Sequence, residues 1–283
     1  MNFIDVKNKN QYLKKQSKLW DTYYYEGKYI KIIHKENFEG NYCPLFILLE
    51  TLKNPEYQMN QICKVEEVLY HYDNFYGYIC EEKQGSNIQN VIKYNLHRPQ
   101  RFYEFFLSFQ NILEFANLHQ IVMKDMITKG NILYDKKSKT AYLIDVDSFQ
   151  IPEYGDNIFV VDFTRSDLTK ILFTKYKKYH NQYRLTTELN IFSLYELFLE
   201  TVYEKSILHL SAKNLPELEK KLQELLQRLS LDKHSNLYGR IMDTVNPNIP
   251  NSYDKEDFQI LANKNSLPII RRRTLNINRK TSK

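Results

Sequence analysis

The stretch that most constrains this chain runs from Val122 to Ile151, VMKDMITKGNILYDKKSKTAYLIDVDSFQI. Two short apolar runs, Asn131–Tyr134 and Ala141–Ile144, flank the polar Asp135-Lys-Lys-Ser-Lys, which predicts a hairpin of two strands. Asp125 precedes the hairpin, Asn131 opens it, and Asp145 stands at its far end with Asp147 two residues on. Carboxylates and an amide oxygen in that order are the oxygen donors a hard divalent cation takes, and such a cation can carry phosphates. Each residue also has a plainer role: a lone loop Asp commonly stabilises a turn, and an Asn after Gly130 commonly makes one. For Asp145 and Asp147 the plainer role of solvated loop acids fits less well, because LIDVDSF is apolar around them. If the extended backbone continued, both carboxylates would point to one side.

The segments before this stretch carry β signals. Thr22–Tyr25 and Lys28–Ile33 flank a hairpin-like turn at Glu26-Gly27. Pro44 opens a helical LFILLETLK, which Asn54-Pro55 closes. Two more strand-like runs follow, Ile62–Tyr72 and Tyr76–Cys80, separated by Asp73-Asn74. From Ser86, a candidate N-cap for a helix over Asn87–Lys93, the pattern turns helical. Phe102–His119 predicts a long apolar helix, Glu188–Tyr203 a second, Leu215–Leu231 an amphipathic one, and Lys255–Ala262 a last helical piece after Pro247 and Pro250. A β-rich region of about 80 residues ahead of a helical one is an α+β order.

Two further residues belong with the acids. Lys31 sits in the strand YIKII, where an ammonium can reach phosphate oxygens, and Glu50 lies 19 residues on, in the next helix. Glu50 is expected to pair with Lys31 and hold it; two unrelated surface charges are the plainer alternative.

The overall composition is that of an ordinary globular chain, with 42% hydrophobic and 26% charged residues among 283. No apolar run approaches the roughly 18 residues of a membrane helix, and no signal-peptide core is found at the start. The three cysteines, Cys43, Cys63 and Cys80, form no CxxC pattern, which argues against a disulfide framework or a zinc site and fits a cytoplasmic setting. The net charge of +6 resides in the tail Arg271–Lys283, RRRTLNINRKTSK; the remainder balances 34 basic against 34 acidic residues. Such a tail is expected to be disordered. It can contact acidic surfaces or accept phosphate at Thr274, but it does not by itself indicate nucleic-acid binding.

Over Lys28 to Tyr203 these residues resemble the eukaryotic-like protein kinase family. YIKIIHKENF looks like the strand with the phosphate-pairing Lys, and Glu50 matches its helical partner. GYICEEKQGSNIQNVI is similar to the strand, hinge and following helix, which implies adenine against Glu81–Lys83. NLHQIVMKD looks like the loop that carries the catalytic Asp, here Asp125. NILYD matches the segment with the metal-binding Asn131. LIDVDSFQI resembles the Asp-x-Asp-Ser-Phe variant of Asp-Phe-Gly, and TTELNIFSLYELFLETVY is similar to the buried helix of the second lobe.

The resemblance implies a bilobal protein-kinase-like fold: a small β-rich N-lobe with hinge over residues 1–83, a larger helical C-lobe over 84–270, and the tail 271–283. It implies ATP and Mg²⁺ as cofactors and a protein substrate for Ser/Thr phosphorylation. Lys31, Glu50, Glu81 and Lys83 would bind the nucleotide, Asp125 would position the hydroxyl, and Asn131, Asp145 and Asp147 would hold metal. A pseudokinase scaffold or a small-molecule kinase of aminoglycoside phosphotransferase type are the alternatives. Five departures accompany it. No glycine-rich loop precedes Lys31, since only Gly27 lies ahead of it. The spacing from Asp125 to Asn131 is one residue longer than usual. Ile127 stands where a Lys is usual, with Lys129 nearby. Asn190 replaces the Asp of the buried helix. No Ala-Pro-Glu motif is found (Pro152-Glu153 comes too early), and no Arg partner for one lies near Asn246–Asn251.

Overall fold

The computed structural model describes residues 12–17, 20–34, 43–71, 74–95, 102–123, 129–151 and 186–262. Asp125, Ile127, Pro152-Glu153 and the basic tail with Thr274 lie outside the described residues.

The turn Glu26-Gly27 is the simplest local cause in the fold. Both residues have positive φ, 47° and 78°, the conformation in which a two-residue loop matches the twist of its strands. It joins β2 (Trp20–Tyr25) to β3 (Lys28–Ile33), setting Thr22 opposite Lys31. A strand not foreseen from the sequence, β1 (Leu13–Gln16), extends the edge. With β4 (Val65–His71) and β5 (Asn74–Glu81) the antiparallel sheet has the order β1-β2-β3-β5-β4.

Alternation along β3 divides its side chains between two faces. Ile30 and Ile32 join Tyr23 and Leu69 in a small cluster on one face. Tyr29, Lys31 and Ile33 take the other, where the main core begins. Gly77 on β5 is required where it stands: a Cβ there would strike the Lys31 carbonyl oxygen. On this second face lies α1 (Cys43–Leu52), whose Leu45, Leu48, Leu49 and Leu52 are buried.

The remainder is mainly helical. β6 (Ser86–Asn87) and α2 (Ile88–Asn95) come first. The expected Ser86 cap is corrected: Ser86 pairs with Tyr134 as strand, while the Asn87 side chain accepts the Gln89 N–H at 2.9 Å. Then follow α3 (Tyr103–Leu118), β7 (Val122–Met123), the hairpin β8 (Ile132–Asp135) and β9 (Thr140–Leu143), and β10 (Phe149–Gln150). β10 pairs with β7, and β6, β8 and β9 form a second small sheet. The last helices are α4 (Glu188–Tyr203), α5 (Leu215–Arg228), α6 (Ser235–Asp243) and α7 (Gln259–Ala262), and a 3-10 turn over Lys255–Phe258 leads into α7, so the two together span the expected helical piece. Helix α6 was not foreseen, although Leu237, Ile241 and Val245 follow helical spacing and are buried.

One apolar core runs through both parts. Phe106 of α3 stacks on Phe258 with ring centres 4.7 Å apart, and Phe198 of α4 closes on both. The sheet is tied to the helical part at Gln61–Cys63. The Cys63 N–H bonds to the Leu143 carbonyl, the Leu143 N–H bonds to the Gln61 carbonyl, both at 2.8 Å, and the Gln61 amide donates to Ser108 and Ala141. The chain is therefore mixed α+β, with an antiparallel sheet first and helices after it. Among the described residues no helix is long and apolar enough to cross a membrane.

Candidate functional site

Where the sheet meets the β8–β9 hairpin there is a cleft of about 380 Å³. Its lining includes Lys31, Glu81, Lys83, Asn131 and Asp145, brought from strands and connections far apart in sequence. A larger cavity of about 460 Å³ lies in the helical part around Arg240 and Asp257. Its acids are paired with Arg240 and also taken up by a capping box at the turn Lys255–Phe258, whereas Asp145 in the smaller cleft caps nothing, so the smaller cleft is the better site.

Lys31 is the centre of the cleft. Its ammonium lies 5.8 Å from the Trp20 ring centre and 5.5 Å from that of Tyr78, and those two rings meet edge to face. Held there, Lys31 donates to Asp145 and, at 3.3 Å, to Asp147. Burial, then the neighbouring Asp147 carboxylate, raises the pKa of the Tyr78 phenol well above its ordinary value, so it stays neutral.

Two expectations about these residues are corrected. First, Lys31 does not pair with Glu50. The Glu50 carboxylate accepts from Lys53 at 2.9 Å and from the Tyr70 hydroxyl at 2.8 Å. Partial burial and that bond push the Tyr70 phenol up to about 12. A Lys three residues on, just past the end of α1, is a local partner that a distant strand cannot easily displace. Second, the backbone after Asp145 is not extended. Asp145 turns left-handed at φ 72° and ψ 61°, and Val146–Ser148 form a buried 3-10 turn. This turn, rather than strand alternation, brings both carboxylates to one ammonium. A non-glycine residue in that region is uncommon, and Asp is among those that tolerate it.

Asp145 and Asp147 thus face one point, and Asn131 lines the same cleft. Two carboxylates and an amide oxygen suit Mg²⁺, a hard ion that takes oxygen ligands. Among the described residues no group of three or more His, Cys, Asp and Glu gathers as a metal centre. Gly130 and Asn131 lie in a 3-10 turn over Lys129–Asn131, and the Gly130 carbonyl accepts from the Asn87 amide at 2.9 Å.

At the other end of the cleft the chain leaves β5. The Glu81 and Glu82 N–H groups bond to the Lys64 and Gly27 carbonyls, both at 3.1 Å. The Lys83 ammonium pairs with Glu81 and donates to the Asn60 carbonyl at 2.7 Å. The backbone N–H and C=O of Lys83 meet no backbone partner among the described residues. Cys63 and Cys80 line this end; the neighbouring Cys80 thiol, then burial, raises the Cys63 thiol well above its ordinary pKa.

Asp125 lies outside the described residues, but its approach is anchored. The buried Asn190 of α4 accepts the Met123 N–H at 2.9 Å and donates to the Ile121 carbonyl at 2.8 Å. An amide, which both donates and accepts, satisfies two backbone groups that a carboxylate could not satisfy together.

Lys14, Lys15, Ser17, Trp20 and Thr22 also line the cleft, and the reading of the sequence missed them. For Thr22 a signal existed: the two-residue turn at Glu26-Gly27 places it opposite Lys31. Compared with known proteins, the chain matches no family model and no curated protein.

Proposed function

We propose that this chain is an ATP-dependent phosphotransferase of protein-kinase-like fold, an atypical Ser/Thr kinase that passes the γ-phosphoryl of ATP to a protein hydroxyl. Residues 1–83 would be its N-lobe with the hinge, 84–270 its C-lobe, and 271–283 a tail. The observation that carries this reading is a cleft lined by Lys31, Asp145, Asn131 and the chain after β5, with Asp147 behind it reaching the same Lys31 ammonium. Phosphoryl transfer asks a protein mostly for positioning and charge, and these are the groups present.

In this reading the backbone of Lys83, which meets no backbone partner among the described residues, takes the edge of the adenine. Lys31 releases its carboxylates and binds phosphate oxygens. Asp145 and Asp147 hold Mg²⁺ with Asn131, and the ion supplies charge neutralisation for the phosphates. Asp125 orients the substrate hydroxyl and accepts its proton.

The test is incubation of the purified chain with γ-labelled ATP and Mg²⁺, beside Asp125→Ala and Asp145→Ala. Transfer of label to protein by the wild type, lost in both variants, is the expected result. One observation favours a second reading, a nucleotide-binding scaffold: Lys31 is engaged by Asp145 and Asp147 while Glu50 is held elsewhere. For a scaffold, no label moves but ATP still raises the melting temperature. Neither labelling nor stabilisation sinks both readings.

A further inference from the structure

Among the described residues four lysines line the cleft, and their charges are not equally satisfied. Lys31 is shared by Asp145 and Asp147, and Lys83 is paired with Glu81. Lys14 and Lys15 are exposed and have no carboxylate partner among the described residues. The Lys14 ammonium rests 5.7 Å from the Tyr24 ring centre, a contact that leaves its charge free.

Register explains why these two lysines reach the cleft. Lys15 stands opposite Thr22, Thr22 opposite Lys31, and Lys31 opposite Tyr78. That is one row across four strands, all on the cleft face. The register of β1 slips between Leu13 and Lys15. A bulge of this kind re-aims the side chains beside it, and Lys14 lines the cleft together with Lys15 although they are adjacent in sequence. Two strand spacings, roughly 10 Å, separate the Lys15 and Lys31 backbones. Lysine stems close such a gap from either side. The matching ligand is an extended polyanion lying between them, beside the hydroxyl-bearing Ser17 and Thr22.

We propose that Lys14 and Lys15 clamp the polyphosphate of the nucleotide from the outer edge of the sheet. They do with side-chain charge what the backbone amides of a glycine-rich loop would do, at the place where this chain has no such loop. The proposal rests on the nucleotide-binding reading above.

Titration calorimetry of the full chain with three probes tests it: adenosine, ATP with Mg²⁺, and inorganic tripolyphosphate. The Lys14→Ala/Lys15→Ala variant is expected to bind ATP and tripolyphosphate on the order of tenfold or more weakly, as for the loss of two charge-assisted contacts. Its adenosine affinity should stay within about twofold, and its ATP affinity should depend less on salt. Lys14→Arg/Lys15→Arg should restore ATP binding. Both positions are exposed, so an unchanged thermal melt serves as the folding control. Equal ATP affinity in wild type and the alanine variant overturns the clamp and leaves the nucleotide reading standing. Tripolyphosphate binding that the variant loses, without any binding of adenosine or ATP, overturns the nucleotide reading and with it the clamp on a nucleotide. A wild-type chain that binds none of the three probes overturns both.

Discussion

At the cleft, Lys31 lies between Asp145 and Asp147; in the helical part, Arg240 lies between Asp254, at 3.4 Å, and Asp257. Each site is one cation between two acids, yet the surroundings differ. Asp257 also accepts the Tyr195 hydroxyl at 2.7 Å and the Asp254 N–H at 2.9 Å, and Asp254 in turn accepts the Glu256 N–H at 3.0 Å. Asp254 and Asp257 form a capping box at the turn Lys255–Phe258, and with the Tyr195 bond the acids around Arg240 are filled by the protein itself. Asp145 caps nothing with its side chain, lines the cleft, and is 31% exposed at its carboxylate. The planar guanidinium suits a fixed fork of acceptors, while an ammonium is a point charge that can change partners. The difference separates a charge cluster filled by the protein itself from one that, under the proposed function, exchanges a partner for a ligand.

The largest expected effect comes from Arg240→Ala. Asp257, almost wholly buried, would lose its cation, at a cost of roughly 3–5 kcal/mol. Urea denaturation measures this, and a loss below about 1 kcal/mol, the level of a surface pair, would break the contrast.

A buried acid with no cation beside it among the described residues sharpens the contrast from the other side. Glu196 of α4 accepts from the Ser206 hydroxyl and from the Ile207 N–H at 2.7 Å, yet burial pushes its pKa up to about 7. Between about pH 4.5 and 7 the unfolded chain gives up this proton while the folded chain keeps it. Stability therefore falls as pH rises through that window and levels off above it, by roughly 3 kcal/mol in all. Glu196→Gln can keep both hydrogen bonds and should flatten this part of the stability–pH curve. An unchanged slope in the variant would assign the fall to another group.

Gly77→Ala should cost roughly 1–3 kcal/mol, because its Cβ meets backbone rather than a side chain that can move. The displaced atom is the Lys31 carbonyl oxygen, so ATP-dependent stabilisation should weaken as well. An alanine variant with wild-type ATP response would show that the β3–β5 contact does not set the position of Lys31.

Lys31→Ala should destabilise by roughly 1–2 kcal/mol, discounted because Asp145 is partly open to water. Millimolar Mg²⁺ should recover part of that loss in thermal melts, and should recover none in Arg240→Ala. Equal recovery in both variants would erase the distinction between the two clusters. The smallest effect belongs to Lys53→Ala. Its pair with Glu50 is about a third exposed on both sides, and losing it should cost about 0.2–0.5 kcal/mol.

Much of this was legible along the chain. The hairpin at Glu26-Gly27, the apolar helices α3 and α4 and the β8–β9 hairpin follow from turn residues and periodicity. These are local causes, and the structure has the elements within a residue or two of the expected ends. Of the group Lys31, Glu50, Asp125, Asn131 and Asp145, one cleft gathers Lys31, Asn131 and Asp145; Glu50 is not among its lining, and Asp125 lies outside the described residues. Partners were less legible. Glu50 suits Lys31 by residue type, but Lys53 and Tyr70 take it. The strand β1 was missed because LKKQ alternates poorly, and only the hydrogen-bonding edge of β2 makes it a strand.

The sequence alone determined most of the longer strands and helices and many of the residues with chemistry to offer, because turns and periodicity act over a few neighbours. Tertiary structure decided which charges meet. The left-handed step at Asp145 turns two carboxylates onto one lysine, and the register of β1 carries Lys14 and Lys15 to the same cleft. Spacing along the chain does not encode such pairings, since each depends on packing between segments that only the folded chain brings together.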